Sequence, residues 1–381
     1  MTAIILGVTA MAVLNAIVFP DSGDALSGRN SMVKPAAFPV IPAKYPAANP
    51  EPPPAKTQRP VEPVSISPFR IARSINDVRR KHVDVPLQDT WQKLGIDAGQ
   101  FEVCSNDCEA HLSRAELSSE PGPEVVLKLT RSFDFCRYLI FGHAQDNRGW
   151  KFLGYLDHDF NRYEMARHRI ATANGRPFLV IRGQEGSGSG YALYTEAWYE
   201  FTDAGMKPVL SYPSQGQTYA WPAGLSRSFK TINLPDQKRT RRLTIQYTVT
   251  YAADGYDGDK LKLEFVNQHR ASYKWDSAAG KFVFDRQHSN ISQPEIAEIA
   301  NVGSEDEPQA GTKIGATTFY SASEAKAFIG GGYEVFLKYN LPRLLTIAQG
   351  HAAKSKDWLR RFLTECDDTP EKKALLAALG K

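Results

Sequence analysis

From about residue 123 to 287 the chain breaks into short runs rich in β-branched and aromatic residues: EVVLKLT, FCRYLIFGH, WKFLGYLD, RHRIATA, PFLVIRG, YALYTEAWYEF, KPVLSYP, RSFKTINL, RLTIQYTVTYA, KLKLEFVNQ, YKWD and KFVFD. Strict alternation is clearest in Leu243, Ile245, Tyr247, Val249 and Tyr251, and again in Leu261, Leu263 and Phe265. A period of two places such a set on one face of a strand. Turn formers separate the runs, among them Asn174-Gly175, Asp254-Gly255 and Ala279-Gly280. Each supplies a residue that tolerates the left-handed backbone of a tight hairpin. No run alternates with a long helical pattern, which argues against a doubly wound or (β/α)-barrel fold. The expected class is mainly β: an antiparallel meander closing as a sandwich, barrel or propeller-like fold over residues 119–300, with a helical C-terminal segment.

The flanks carry a different period. Ile71, Ile75 and Val78, then Leu87, Trp91 and Leu94, recur at helical spacing, so residues 69–118 read as a mixed, partly helical preface with a further short helix over 106–117. An acidic, glycine-containing connector fills 301–316, and residues 317–381 read as a helical module. There Ser321-Ala-Ser-Glu324 forms a capping box. Tyr333, Phe336, Leu337, Leu341, Leu344, Leu345 and Ala348 trace one helical face, with a kink expected at Pro342. Trp358, Leu359, Phe362 and Leu363 trace another, and Thr369-Pro370 starts a last helix.

Residues 2–19, TAIILGVTAMAVLNAIVF, carry no charge. As a helix they would span about 27 Å at roughly 1.5 Å per residue, close to a hydrocarbon core. Small residues before a cut after Ala25 complete the pattern of a secretory signal, although no Lys or Arg precedes the apolar run. Residues 1–25 are therefore expected to be a signal peptide or a retained anchor, with membrane association through 2–19 in the second case. Residues 35–63 hold ten of the 24 prolines. Proline fixes φ and removes a hydrogen-bond donor, so 26–68 should be an extended linker that buries nothing. Together these segments predict an extracytoplasmic protein: periplasmic, secreted or membrane-anchored.

Composition adds limits. Over 381 residues, 42% apolar and 11% aromatic content permits a sizeable core, and a net charge of +4 is far from the concentrated positive charge of a nucleic-acid binder. No nucleic-acid partner and no cofactor is expected. The four cysteines are too few for a disulfide scaffold, but their number suits one or two bridges in an exported chain.

Candidate chemistry is sparse. Cys104 and Cys108 have the local spacing of a small disulfide loop; on a helix, they and His111 would instead share a face as a partial zinc shell. Asp157-His158-Asp159 closes a strand, with both carboxylates on one side and the imidazole on the other, and a local turn is the plainer use of two such aspartates. The run Gly183–Gly190 lacks the ending of a phosphate loop and precedes a strand, which makes it a hairpin connection. The dense positive run Lys238–Arg242 reads as a solvated hairpin tip. Glu196 and Glu200 flank Trp198 and, with Tyr194, Tyr212, Tyr219 and Trp221, form a potential glycan-facing aromatic surface. The leading expectation is a non-enzymatic binding or scaffold protein presenting this aromatic-rich β surface to an envelope polymer or a protein partner. The alternative is a glycosidase-like envelope hydrolase using a pair from Asp157, Asp159, Glu196 and Glu200.

Overall fold

The computed structural model describes residues 66–81, 84–105, 107–117, 122–131, 135–143, 149–159, 166–188, 191–202, 205–220, 225–234, 242–254, 261–300 and 332–380. Helix α1 (Pro68–Lys81), strand β1 (Val85–Pro86), helix α2 (Gln88–Leu94) and strand β2 (Val103–Cys104) lead into a four-stranded sheet. That sheet comprises β3 (Cys108–Ala115), β4 (Glu124–Arg131), β5 (Phe135–His143) and β6 (Trp150–Asp159). An eight-stranded sheet follows: β7 (Arg167–Ala173), β8 (Arg176–Gly188), β9 (Tyr191–Thr202), β10 (Gly205–Ala220), β11 (Leu225–Leu234), β12 (Arg242–Asp254), β13 (Lys262–Asp276) and β14 (Lys281–Phe284). Helices α3 (Gln293–Ala300), α4 (Gly332–Gln349), α5 (Ala353–Glu365) and α6 (Pro370–Leu379) close the chain. In both larger sheets every strand pairs antiparallel with its sequence neighbours, so the expected mainly-β meander with C-terminal helices is the fold.

Burial explains which runs alternate and which do not. The smaller sheet is covered on both faces. Leu127, Leu129, Leu139, Phe141 and Phe152 meet α1 and α2 on one side. Val126, Tyr138, Ile140 and Leu156 meet Leu179, Ile181, Ala197 and Tyr199 of the larger sheet on the other. Central strands β4 and β5 are therefore buried along almost their whole length, polar Lys128, Thr130 and Arg137 included. Strand β12 has one covered face, and it alternates: Leu243, Ile245, Tyr247, Val249, Tyr251 and Ala253 are buried while the residues between them are half-buried.

The larger sheet rolls up. Strand β14 is six places from β8 in the strand order. Nevertheless the Phe178 ring lies 5.6 Å from Phe282 and 6.0 Å from Trp275, and Lys207 Nζ donates to the Ala279 carbonyl at 3.0 Å. The inner face so enclosed is filled by α3–α6, with Phe336 of α4 packed at 5.6 Å on Tyr251 and 5.4 Å on Phe265. The Asn174-Gly175 turn between β7 and β8 is as expected: φ is 53° at Asn174 and 72° at Gly175, the paired left-handed residues that match strand twist. At α6, Thr369 caps the helix by accepting from the Lys372 amide, and Pro370 occupies its first turn.

Two expectations are corrected. Residues 108–115 form strand β3, not a helix over 106–117, because their backbone groups complete the ladder with β4 at the sheet's edge. The smaller sheet thus begins ahead of residue 119. The signal or anchor, the linker, the acidic connector and the Ser321–Glu324 capping box lie outside the described residues. Among the described residues no helix is long and apolar enough to cross a membrane.

Between the two sheets lies a polar pocket of side chains in an otherwise apolar layer. Among the described residues both ring nitrogens of His158 and the Thr130 hydroxyl are buried without a hydrogen-bond partner, and the buried Tyr138 hydroxyl lies beside the Cys136 thiol. Lys128 Nζ donates to the Ala166 carbonyl, and Ser113 Oγ lies 2.8 Å from His168 Nε2. Burial, with the Lys128 ammonium adding to it, pushes both His158 and His168 down to about 4. The unfolded chain binds a proton near pH 6.5 that the folded one refuses. The stabilisation is therefore intact above pH 6.5 and is lost as pH falls toward 4. Between pH 6.5 and 5 His158 alone accounts for about 2 kcal/mol, at about 1.4 kcal/mol per pH unit. Urea unfolding of wild type and His158→Leu at the two pH values checks this: the variant should lose about 2 kcal/mol less. An equal loss in both proteins would remove His158 from the account.

Candidate binding site on the inner face of the larger sheet

Strands β8, β9 and β10 bring four of the expected site residues onto one face. Register pairs Val180 with Trp198, Arg182 with Glu196, and Tyr212 with Glu196, so these side chains share the inner side. Glu196 and Glu200 sit on this face too, four residues apart, about 13 Å along the strand at ~3.3 Å per residue. The aromatic residues do not form an open platform, however. Trp198 is 1% and Tyr212 2% exposed, both inside the rolled sheet. The rings that were expected to face a partner are floor, and arginines lie over them. Arg169 of β7 stacks on Trp198 at 5.5 Å, Arg176 on Trp275 at 5.0 Å, and Arg182 on Tyr194 at 4.8 Å.

The carboxylates hold these arginines in place. Arg169 Nη2 donates to Glu196 Oε2 at 2.8 Å, and Arg176 Nη1 to Glu200 Oε1 at 2.7 Å. The Tyr212 hydroxyl donates to Glu196 Oε2 at 2.6 Å and lies 3.1 Å from the Asn233 side-chain oxygen. Burial, reinforced by Glu196, keeps that phenol well above its usual pKa, so it stays a donor. Arg167 pairs in register with Arg182, which adds a fourth guanidinium to the same face. Arg169, Arg176 and Arg182 over Glu196 and Glu200 make the described part of the β7–β9 rim positive. Arg169 and Arg176 remain 45% and 49% exposed, so part of each planar fork of donors faces outward.

Other expected residues serve differently. Asp157 takes a bidentate ion pair from Arg137, Nε to Oδ1 at 2.6 Å and Nη2 to Oδ2 at 2.9 Å, on the helix-covered side of the smaller sheet. Two sheets separate it from Glu196 and Glu200, so it does not converge with either. Asp159 ends β6, where its backbone pairs with Phe135. His158 points the other way from Asp157, into the layer between the sheets, as period two requires. Tyr219 pairs through its backbone with Ser226, and Trp221 lies outside the described residues.

Cys104 ends β2 and Cys108 begins β3, and both are buried thiols. They meet across a hydrogen bond that raises the pKa of Cys104 and lowers that of Cys108. The helical zinc face is corrected: with β3 a strand, His111 is exposed and paired with Glu109 at 3.3 Å, away from the thiols. Among the described residues no three His, Cys, Asp or Glu side chains gather as metal ligands.

Sequence reading missed the arginine roof, although the register of the β7–β8 hairpin around Asn174-Gly175 places Arg169 and Arg176 on the same face as Phe178 and Val180. It also missed Arg227. Leu225, Arg227 and Phe229 share one parity of β11, so a charge at an inward position was visible in the alternation itself. No protein-family model matches the chain, nor does any curated protein or solved structure.

Proposed function

We propose that this chain is a non-enzymatic binding or scaffold protein working outside the cytoplasm, and that it engages an acidic envelope polymer through the arginine-roofed rim of β7–β9. One observation carries the reading. Three guanidinium groups along one rim each lie over an aromatic ring and are tied to a carboxylate or amide, with donors left over. Arginine held rigid in this way loses little side-chain freedom on binding, and its planar fork suits carboxylate and phosphate groups. The apolar leader and the proline-rich linker support the location.

Binding of the purified protein to polygalacturonate, with neutral dextran as control, tests the rim. Replacing Arg169, Arg176 and Arg182 together by Gln should weaken polygalacturonate binding at least tenfold, a loss of about 1.4 kcal/mol or more, and flatten its salt dependence. Unchanged affinity in the triple variant, or equal binding to dextran, rules the rim out. Binding to polyglutamate alone would redirect the reading to an acidic protein partner. A native chain found in the cytosol with Met1 in place would overturn the location and leave the rim standing.

A further inference from the structure

Arg227 occupies an inward position on β11, at the end of the inner face where α3 and α4 pack, and is only 5% exposed. Its terminal nitrogens Nη1 and Nη2 are buried and meet no carboxylate, carbonyl or amide oxygen among the described residues; the neighbour they reach is the Tyr251 hydroxyl. Tyr251 stands directly opposite on β12, its buried hydroxyl oxygen within hydrogen-bond reach of the guanidinium and its own proton without an acceptor among the described residues. The hydroxyl is close enough for the guanidinium to hold the Tyr251 pKa down against the larger upward effect of burial, which leaves it at about 12.

The nearest acid is engaged elsewhere. Glu298 of α3 lies within electrostatic range of Arg227. Its carboxylate accepts instead from Lys338 Nζ at 3.1 Å and from the Tyr339 hydroxyl at 3.4 Å. Glu295 also faces Lys338, at 3.8 Å. Arginine has no accessible neutral form, so Arg227 cannot escape burial by losing its proton as a lysine would. A buried guanidinium without a contact counter-ion is costly, and the fold retains it beside a second unused donor.

We propose that Arg227 and Tyr251 form a binding site for a small oxyanion, a carboxylate or phosphate group, received by Nη1 and Nη2 together with the Tyr251 hydroxyl as third donor. The planar fork matches two oxygens of either group, and the hydroxyl reaches a lone pair on one of them. Phe336 packs on the Tyr251 ring and Phe229 follows Arg227 on the same face of β11, so the surroundings are apolar and charge-assisted bonds there are strong. The site is separate from the β7–β9 rim, and neither reading depends on the other.

The test uses the full chain, dialysed into chloride and titrated at constant ionic strength with sodium phosphate and, separately, with sodium acetate. Calorimetry and the thermal midpoint are both followed. A saturable rise in midpoint with at least one anion is expected. Response to phosphate alone assigns the phosphate class, response to acetate alone the carboxylate class, and response to both the shared chemistry. Arg227→Met, which removes the uncompensated charge, should fold and lose the response entirely. Arg227→Lys, which keeps the charge without the fork, and Tyr251→Phe should each weaken binding about tenfold. A wild-type protein indifferent to both anions overturns the site, as does an Arg227→Met protein that responds like wild type. Should Arg227→Met fail to fold, wild-type affinity in both Arg227→Lys and Tyr251→Phe overturns it equally.

Discussion

Replacing Asp157 with Ala should cost about 3 kcal/mol of folding stability, enough to move the urea midpoint by more than 1 M for a slope of about 1–3 kcal/mol per M. Arg137 is 1% exposed, and Asp157 is the counter-ion that lets it be there. The guanidinium also donates through Nη1 to the carbonyls of Asp97 at 2.8 Å and Ala98 at 3.2 Å, and it lies 5.0–5.6 Å from the rings of Tyr155, Trp91 and Phe101. One cation thereby joins β5, β6, α2 and the loop after it. Removing the carboxylate leaves that cation buried with two carbonyls and three ring faces, which compensate it only in part. Asp157 keeps some contact with solvent, which places the loss at the lower end of the range for breaking a buried pair. Asp157→Asn, which keeps an oxygen acceptor, should lose less. Replacing both members by Leu should recover much of the loss, since the unpaired charge disappears with its partner. If Asp157→Ala left the urea midpoint unchanged, the aspartate would be free for chemistry, and the structural role argued here would fail.

The second large effect is expected at Phe336. Its ring is fully buried and touches Tyr251 and Phe265 of the sheet on one side and Phe362 of α5 at 5.2 Å on the other. Phe336→Ala should destabilise by about 3–5 kcal/mol, the lost transfer free energy plus that of the cavity left behind. The loss should be uneven. Hydrogen exchange should accelerate first in α4, α5 and α6, because Phe336 is the ring through which α5 reaches the sheet, while β4 and β5 keep their protection. Uniform acceleration would mean that helices and sheet unfold as a single unit. Acceleration confined to the smaller sheet would contradict the packing.

The strands were legible because their pattern is enforced by the backbone. Phe135–His143 and Arg167–Ala173 fall where the aromatic and β-branched runs place them, and Asn174-Gly175 supplies the turn that the hairpin geometry demands. Residues 106–117 were misread because Cys104, Cys108 and His111 match a helical period by coincidence. An edge strand such as β3, with much of its length half-exposed, carries too weak an alternation to contradict it. The site was half legible. Tyr194, Glu196, Trp198 and Tyr212, grouped by composition, share a face. Their exposure could not be read, because it depends on the sheet curling until Phe178 meets Phe282, a contact between strands that sequence order leaves six places apart. The ion pairs of Asp157 and Glu196 escaped for the same reason: each partner, Arg137 or Arg169, is fixed by register across a ladder and not by spacing along the chain.

Pairing between sequence neighbours throughout both sheets has a bearing on how the molecule is made. Each new strand can zip onto the one just completed, so the entropy of closing large loops is never demanded at once and the ladder can grow in the order of synthesis. Sealing cannot follow that order. The hydrophobic trough of the curled sheet waits for the segment from Gly332 onward, which follows all of its strands in sequence. A nascent or truncated molecule that stops short of it would present a long greasy channel to its neighbours, making these helices the point at which a nearly finished ladder becomes safe from aggregation.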